Sequence, residues 1–250
     1  MRTVDLPPPP ALAPWIERFR VVEADRDTER LLLPNLAPIV ALRYAGASHD
    51  AGARTPDAAW TGVRRRARRM RTAAGSGVIL ALLRVGAAGG LVGDAAATHE
   101  ATVPLDALLA PDAVARALEA VRAAATPEAR AHAFATFLAA VPRVHPRDAL
   151  VARALAPLQR LRVGVVAEQL GVSRDTLVRR FARAVGAPPA SWAATARLLG
   201  TLASWQAGTA LGELAHRGGY ADQSHLVRAV RAATGLAPGR LLGADGPARC

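Results

Sequence analysis

The order of hydrophobic and polar positions divides the chain into a first part that favours strands and a second part that favours helices. Short runs rich in Val, Ile and Leu at residues 31–44 and 77–85 are typical of buried strands. Residues 11–19 carry apolar positions at helical spacing, so we expect a short helix there. From residue 105 onward the pattern is helical, with breaks at Pro111, Pro127, Pro142 and Pro146. We therefore predict an α+β domain at residues 1–148, rich in strands at its start and helical in its second half.

The segment 163–186 has the pattern of two short helices that meet at a sharp turn. Gly171 permits the turn, and Ser173 can cap the second helix by accepting a hydrogen bond from its first free amides. Apolar residues recur every four positions as a stripe to be buried, at Leu177, Phe181 and Val185. When this stripe is buried, four other residues of the helix lie on the opposite side, which can enter a major groove of DNA: Arg174, Asp175, Val178 and Arg179.

A second unit with the same layout follows at about residues 209–235. Asp222 caps its second helix, and the residues that point outward are Gln223, Ser224, His225 and Arg228. A helix at about 190–206, roughly 24 Å long at 1.5 Å per residue, separates the two units. This length suits two recognition helices near the roughly 34 Å spacing of successive major-groove faces. We therefore predict an all-α, double helix-turn-helix DNA-binding domain over residues 149–250.

The charge of the chain supports this assignment. The formal net charge is +12, and all 32 basic residues are arginine. Residues 151–250 hold 13 arginines against 5 acidic residues, a net charge of +8, whereas residues 1–150 have a net charge of +4. Coding bias can account for the absence of lysine but not for the positive balance. Because arginine is a strong ligand of phosphate and guanine, the excess favours double-stranded DNA as a partner.

A separate arginine-rich segment lies in the first part of the chain. Residues 63–71 contain six arginines in nine positions. The segment is either a second nucleic-acid patch or an arginine-rich turn or edge strand on a solvated face. The pattern alone leaves both interpretations open.

Other functional classes lack the residues that they need. Cys250 is the one cysteine of the chain, so no internal disulfide, thiolate metal site or buried catalytic thiol is available, and a reducing compartment is expected. The six histidines form no HExxH or His–Cys pattern, and no serine lies in a GxSxG context. The N-terminus lacks the apolar core of a signal peptide, and no apolar run is long enough to span a membrane. We therefore predict a soluble cytoplasmic protein without membrane contact, which is not an enzyme and needs no metal or cofactor.

The second unit, residues 219–241, resembles the signature of the AraC/XylS transcription regulators. It contains the family's Gly-aromatic, Gln-Ser-His and Thr-Gly-x-x-Pro elements in order, and the first unit and the spacer also fall at the family's positions. The resemblance implies a homeodomain-like fold and a bacterial regulator, more often an activator, that works with RNA polymerase. The base readers that it implies are Asp175, Val178 and Arg179 in the first unit and Gln223, Ser224, His225 and Arg228 in the second. Val230 replaces the family's buried phenylalanine, and Arg240-Leu241 lacks an aromatic, so we expect a less stable second unit.

The N-terminal region is similar, more weakly, to the regulatory region of one subgroup of this family. The similarity lies in residues 12–35, 72–93 and 104–109 and allows a small-molecule effector and a homodimer, although no effector-binding residue can be named. Residues 34–38 lack the subgroup's Asp-Gly pair, and residues 85–89 lack its aromatic-Arg-Pro-Gly turn.

Two other functions remain as alternatives to a ligand-controlled regulator. Residues 88–93 approximate the glycine turn of a dinucleotide-binding enzyme, but the strand–helix alternation that should follow is absent. The first domain could instead serve interaction alone, by forming a dimer or contacting polymerase, so that the chain anchors to DNA without a ligand.

Overall fold

The structure is a computed structural model, and it describes residues 1–206 and 208–242. In chain order its strands are β1 (Arg2–Leu6), β2 (Ile16–Ala24), β3 (Thr28–Leu32), β4 (Ile39–Ala45), β5 (Ser48–Asp50), β6 (Ala53–Arg54), β7 (Ala58–Thr61), β8 (Arg68–Thr72), β9 (Ser76–Leu83) and β10 (Thr102–Pro104). They form a larger antiparallel sheet in the order β1-β2-β9-β4-β7-β10 and a smaller one in the order β3-β8-β5-β6. The strands predicted at residues 31–44 and 77–85 are confirmed as β3 with β4 and as β9.

Alternation along β2 places the larger sheet between an apolar core and a cavity. Phe19 and Val21 are buried in the main apolar core, while Arg20 and Val22 line a cavity on the opposite face. Residues of the smaller sheet, among them Arg30 and Met70, line the same cavity. The two sheets therefore face each other across this space.

The prediction of a helix at residues 11–19 is wrong. Residues 11–15 form turns, and Ile16 begins β2, which pairs with β1 on one side and β9 on the other. The pairing with β9 shifts register between Ile16 and Arg18. Because a bulge adds one residue to a strand, the buried Ile16 and Phe19 stand three positions apart and imitate helical spacing.

Helices cover the core face of the larger sheet. After the short α1 (Ala88–Val92) come α2 (Pro111–Ala123) and α3 (Pro127–Ala140), each with a proline in its first turn. Phe134 of α3 packs against Phe19 of the sheet with ring centroids 5.6 Å apart. Two single 3-10 turns, Ala95–Thr98 and Leu105–Ala107, join these elements. The helical pattern predicted for the middle of the chain is thus confirmed.

From Ala149 onward the described chain is helical. Its helices are α4 (Ala149–Leu158), α5 (Val163–Gln169), α6 (Arg174–Val185), α7 (Pro189–Ala203), α8 (Leu211–Arg217), α9 (Gln223–Thr234) and α10 (Pro238–Leu241). Helices α4 to α7 enclose one apolar core, and α7 to α10 enclose another. Trp192 of α7 lies in the first core, and Leu202 of α7 lies in the second. The predicted fold class, an α+β part followed by an all-α double helix-turn-helix part, is confirmed.

The N-terminal half contributes residues to both of these cores. Val63, 1% exposed, belongs to the core around α6, and Leu33, 7% exposed, belongs to the core around α9. The Trp192 Nε1–H group donates a hydrogen bond of 3.0 Å to the carbonyl oxygen of Leu36. Packing contacts therefore cross the boundary near residue 148, which itself stays a prediction.

Candidate nucleic-acid interface and ligand cavity

Helices α5 and α6 form the first predicted unit. Gly171 between them has a φ of +68°, a left-handed conformation that glycine adopts without strain. The Ser173 hydroxyl accepts a hydrogen bond of 3.2 Å from the Thr176 amide and so caps α6. The predicted stripe is completely buried at Leu177, Phe181 and Val185. The Phe181 ring meets the Trp192 ring edge-on at 5.6 Å, which fixes α6 against α7.

The opposite side of α6 faces solvent. Arg174, Asp175 and Arg179 are exposed, and Val178 is half-buried. Within the described part of the chain these three charged side chains have no ion pair or hydrogen bond. Among the described residues no hydrogen bond or ion pair joins Asp175 to Arg179, so both side chains are open to a ligand.

Helices α8 and α9 form the second predicted unit. Asp222 Oδ1 accepts a hydrogen bond of 2.7 Å from the His225 amide, and Gly235, with a φ of +72°, ends α9. Leu226 and Val230 are completely buried. Val230 packs where the family resemblance calls for phenylalanine, among leucines from α7, α8 and α10.

The four predicted readers on α9 are all exposed: Gln223, Ser224, His225 and Arg228. Ser224 and Arg228 are four positions apart and share the face opposite the buried Leu226. His225 lies roughly a quarter-turn round the helix from that face, and its ring meets the Tyr220 ring edge-on at 5.1 Å. The second unit thus presents a polar face and, beside it, a flank that begins at His225.

Arg180 also lies on α6, but Asp148 holds it. Arg180 Nε and Nη2 each lie 2.7 Å from a carboxylate oxygen of Asp148, and the Asp148 side chain is 10% exposed. Burial alone would raise the pKa of Asp148, but hydrogen bonds from Arg180 and from the amides of Val151 and Leu150 outweigh it and leave that pKa below its ordinary value. The contact ties α6 to the start of α4. The sequence pattern did not single out either residue, because the pair is joined only by the fold.

The glycine-rich segment 88–93 is a packing contact between the two halves of the chain. A side chain at Gly89 would come within 2.9 Å of the Arg183 carbonyl oxygen on α6, and one at Gly90 would overlap the Trp15 ring. The chain after this turn continues into α2 and α3 without the strand–helix alternation of a dinucleotide-binding fold. The glycines thus permit close approach of α1 to α6.

The arginine-rich segment 63–71 forms a turn followed by β8, which lies inside the smaller sheet rather than at its edge. Arg68 pairs with Asp50 at 3.0 Å, and Arg69 and Arg71 both pair with Glu29. The turn residues lie elsewhere: Arg65 and Arg66 line a cleft of about 410 Å³ against the second unit, together with Ser191, Thr195, Arg197, Tyr220 and His225. Arg197 was not predicted as a site residue, and only the fold brings it to this cleft.

The cavity between the two sheets is a second candidate site. Its volume is about 270 Å³, and it is lined by four arginines and by apolar side chains that include Val22, Leu32, Ile39 and Leu80. Two of the arginines, Arg20 and Arg68, form ion pairs with Asp5 and Asp50. The other two are Arg30 and Arg43.

Arg43 is a buried cation with unused donors. It is 7% exposed, and its Nη2 donates to Thr55 Oγ1 at 3.2 Å, whereas its Nε and Nη1 have no hydrogen-bond partner in the described part of the chain. Burial lowers the pKa of Arg43, an effect that Asp57, 4.0 Å away, only partly offsets. Because a guanidinium stays protonated, this donor set favours a negatively charged group.

Neither a metal site nor a membrane-crossing helix is found in the described ranges. Across residues 1–206 and 208–242 no His, Cys, Asp or Glu side chains are grouped so as to hold a metal ion. None of the helices in the same ranges is both long and apolar enough to cross a bilayer. Cys250, the cysteine considered above, lies outside the described residues.

Comparison with known families decides the nature of the C-terminal half. Residues 166–244 match the model of a helix-turn-helix domain family of the AraC type. This part of the chain is a helix-turn-helix domain. The helix-turn-helix domain makes the chain a DNA-binding transcription regulator, as the sequence predicted. No curated protein matches the chain at a significant level.

Three solved structures illustrate what the whole chain is similar to. ToxT from Vibrio cholerae is 10% identical with a TM-score of 0.45, over 96% of this chain and 97% of that chain. ToxT from Vibrio cholerae O395 bound to (E)-4-(8-methylnaphthalen-1-yl)but-3-enoic acid is 11% identical with a TM-score of 0.46, over 89% and 96%. The AraC-like transcriptional activator CuxR is 12% identical with a TM-score of 0.25, over 73% and 72%.

Proposed function

We propose that the chain is a sequence-specific regulator that places α6 and α9 in two successive major grooves of double-stranded DNA and activates transcription. The observation that carries this proposal is the sharing of α7 between the two units. The first half of α7 packs in the core of α6 and the second half in the core of α9, so one helix contacts both units. With 15 residues α7 is about 22 Å long, a length of the order that grooves repeating about every 34 Å require.

Helix α9 is expected to discriminate between DNA sequences. Arg228 can bind guanine through two hydrogen bonds, and Gln223 can bind adenine in the same manner. Ser224 and His225 add contacts from the first turn of the helix, where the backbone amides also point toward the ligand.

Helix α6 is expected to contribute more to anchoring than to discrimination. Val178 can contact a thymine methyl group, and Asp175 can accept a hydrogen bond from cytosine. Arg174 and Arg179 are exposed and unpaired among the described residues, which suits contacts with phosphate oxygens.

Binding of the full-length chain to promoter DNA and to random DNA of equal length tests this proposal. Arg228→Ala should cost about 1–3 kcal/mol on the preferred site and relax the preference at one base pair. Arg116→Ala, which removes an exposed charge from α2, is the matched control. Equal affinity of the wild-type chain for promoter and random DNA would contradict sequence-specific reading. Binding that does not weaken with salt would contradict the phosphate contacts.

An effector is the second part of the proposal, and the cavity between the sheets is its site. Arg43 offers two unused donors, and Arg30 has the Met1 sulfur rather than a carboxylate as its hydrogen-bond partner. The remaining lining is largely apolar. The chemistry suits a small molecule with an apolar body and one anionic group, which would complete the hydrogen bonds of Arg43.

Thermal unfolding with octanoate and with octanol tests the effector site. Octanoate near 100 times its Kd should stabilise the chain by about 2.7 kcal/mol and raise Tm by roughly 5–10 °C, while octanol should do so much less. Arg43→Met should remove the octanoate shift. Equal shifts with both compounds would contradict recognition of the charge. If neither shifts Tm, the N-terminal half serves interaction alone.

The remaining proposals rest on the resemblance to the AraC/XylS regulators. They are contact with RNA polymerase, pairing of two copies of the chain, action in the cytoplasm, and the absence of enzymatic activity. Sedimentation of the full-length chain with and without promoter DNA measures the pairing. Because the strand–helix alternation of a dinucleotide-binding fold does not follow residues 88–93, addition of a nicotinamide dinucleotide should leave Tm unchanged.

A further inference from the structure

We propose that the turn carrying Arg65 and Arg66 belongs to the DNA interface and binds a backbone phosphate beside the groove that α9 enters. This inference rests on the proposed binding of DNA by α9. It adds a contact that comes from the N-terminal half of the chain rather than from the helix-turn-helix domain.

The turn is attached directly to the end of α9. The Ala67 amide donates a hydrogen bond of 2.7 Å to the carbonyl oxygen of Ala233. Ala233 lies in the last turn of α9, where backbone carbonyls have no partner within the helix. On the other side of the turn, Val63 is buried in the core around α6. Arg65 and Arg66 are therefore held at a defined place next to the second unit.

The cleft between this turn and the second unit carries positive charge without matching negative charge. Three arginines line it, Arg65, Arg66 and Arg197, and none of its described lining residues is acidic. Arg65 is paired with Glu100, with 3.4 Å between Nε and Oε1, but Glu100 is not among the residues that line the cleft. Arg66 is exposed and has no ion pair with a described residue.

The other side of the cleft offers further donors. Arg197 lies with its guanidinium carbon 6.0 Å from the centre of the Tyr220 ring, and its Nε has no hydrogen-bond partner in the described chain. The Ser191 hydroxyl, on the same helix, likewise has none there. A phosphate has several acceptor oxygens and one negative charge, so it suits this set of cations and hydroxyl groups.

His225 joins the cleft to the reading face of α9. It lines the cleft together with Ala229 and Ala232, and this flank is roughly a quarter-turn round the helix from Ser224 and Arg228. When a helix lies in a major groove with one face toward the bases, its flanks face the sugar–phosphate strands. The cleft therefore lies where a strand of the duplex passes α9.

The arginine-rich segment divides into a structural part and a binding part. Arg68, Arg69 and Arg71 pair with carboxylates on two strands of the smaller sheet, β5 and β3. Arg66 has no such partner among the described residues. One run of arginines thus contains both residues that pair within the sheet and a residue available to nucleic acid.

Titration of the full-length chain against promoter DNA and random DNA, followed by fluorescence anisotropy, tests the proposal. Arg66→Ala should weaken binding to both duplexes by about fivefold and reduce the steepness of the salt dependence by about one phosphate contact. Arg66→Lys, which keeps the charge, should retain most of the affinity. Arg116→Ala, which removes an exposed charge from the same half of the chain, should change neither affinity nor salt dependence.

Three results would overturn the proposal. Wild-type affinity and salt dependence in Arg66→Ala would mean that the turn does not contact DNA. Tighter binding would mean that the turn obstructs α9. A loss confined to promoter DNA would mean base reading rather than phosphate binding. Arg228→Ala in the same series distinguishes failure of this inference from failure of the proposed function. If α9 does not read DNA, Arg228→Ala and Arg66→Ala should both bind like the wild-type chain. If only the contact at the turn is wrong, Arg228→Ala should still weaken binding while Arg66→Ala should not.

Discussion

Removal of the Asp148 carboxylate should separate two stabilising contributions at the point where the halves of the chain meet. Asp148 caps α4 by accepting hydrogen bonds from the amides of Leu150 and Val151, and it pairs with Arg180 on α6. Loss of a helix cap costs about 1 kcal/mol. The Arg180 side chain is 39% exposed, so solvent screening limits the ion pair to about 1 kcal/mol as well. Asp148→Ala should therefore lose about 2 kcal/mol, and Asp148→Asn, which keeps a capping oxygen, about 1 kcal/mol.

Thermal unfolding followed by circular dichroism measures both losses. A chain of this size shifts Tm by about 2–4 °C per kcal/mol, so Asp148→Ala should lower Tm by about 4–8 °C and Asp148→Asn by about half of that. Arg180→Met, combined with Asp148→Asn in a double-mutant cycle, should give a coupling energy of about 1 kcal/mol. A coupling energy near zero would refute the role of the ion pair. Equal losses in the Ala and Asn variants would refute the role of the cap.

The same carboxylate gives a pH dependence with a defined sign. Its pKa in the folded chain lies below the ordinary value of 3.8. Its contribution is therefore complete above pH 3.8 and is lost as the pH falls through the lower folded-state value. The difference in Tm between the wild-type chain and Asp148→Asn should stay constant above that pH and shrink below it. A difference that grows on acidification would contradict the lowered pKa.

Four further substitutions check how the helices pack. Phe181→Ala should lower the free energy of unfolding, measured by urea denaturation, by about 3–5 kcal/mol because the ring is completely buried. A loss below about 1 kcal/mol would contradict the place of this ring in the core. Trp192→Phe keeps an aromatic ring but removes the donor to the Leu36 carbonyl oxygen, so it should cost about 1 kcal/mol by the same assay, and no loss would mean that this hydrogen bond contributes nothing. Gly200→Ala should raise the free energy of unfolding by about 0.5–1 kcal/mol, because Gly200 lies within α7 and the added methyl group would point into open space. Gly90→Ala should lower the free energy of unfolding, because the added methyl group would overlap the Trp15 ring. Changes of the same sign in the two variants would refute this difference between the two glycines.

The helix-turn-helix units could be predicted from the sequence because their determinants are local. Ser173 and Asp222 act as caps within three residues of the amides that they bind, and the buried stripe on α6 repeats every four positions. The exposure of seven of the eight predicted DNA-binding residues, all except the half-buried Val178, follows from the same periodicity. Their roles in reading bases remain predictions, since they concern a partner and not the chain itself.

Features that depend on residues far apart could not be predicted. Residues 11–19, which include the start of β2, imitate helical spacing because a register shift next to Ile16 disturbs the alternation of the strand, and only pairing with β1 and β9 makes Ile16–Ala24 a strand. The contact between Trp192 and Leu36 spans 156 positions. The charge of the turn at Arg65 and Arg66 was visible in the sequence, but its position beside α9 was not.

The burial of Leu33 and Val63 in the cores around α9 and α6 has a consequence for how the molecule melts. A DNA-binding half cut at residue 148 would lose these side chains and expose the apolar surface that they cover, so the intact chain should unfold in a single cooperative transition. Leu33 follows β3, which borders the cavity between the sheets. A molecule that tightens that cavity therefore acts on the same cooperative unit that holds the two reading helices, and communication between ligand and DNA requires no separate moving part.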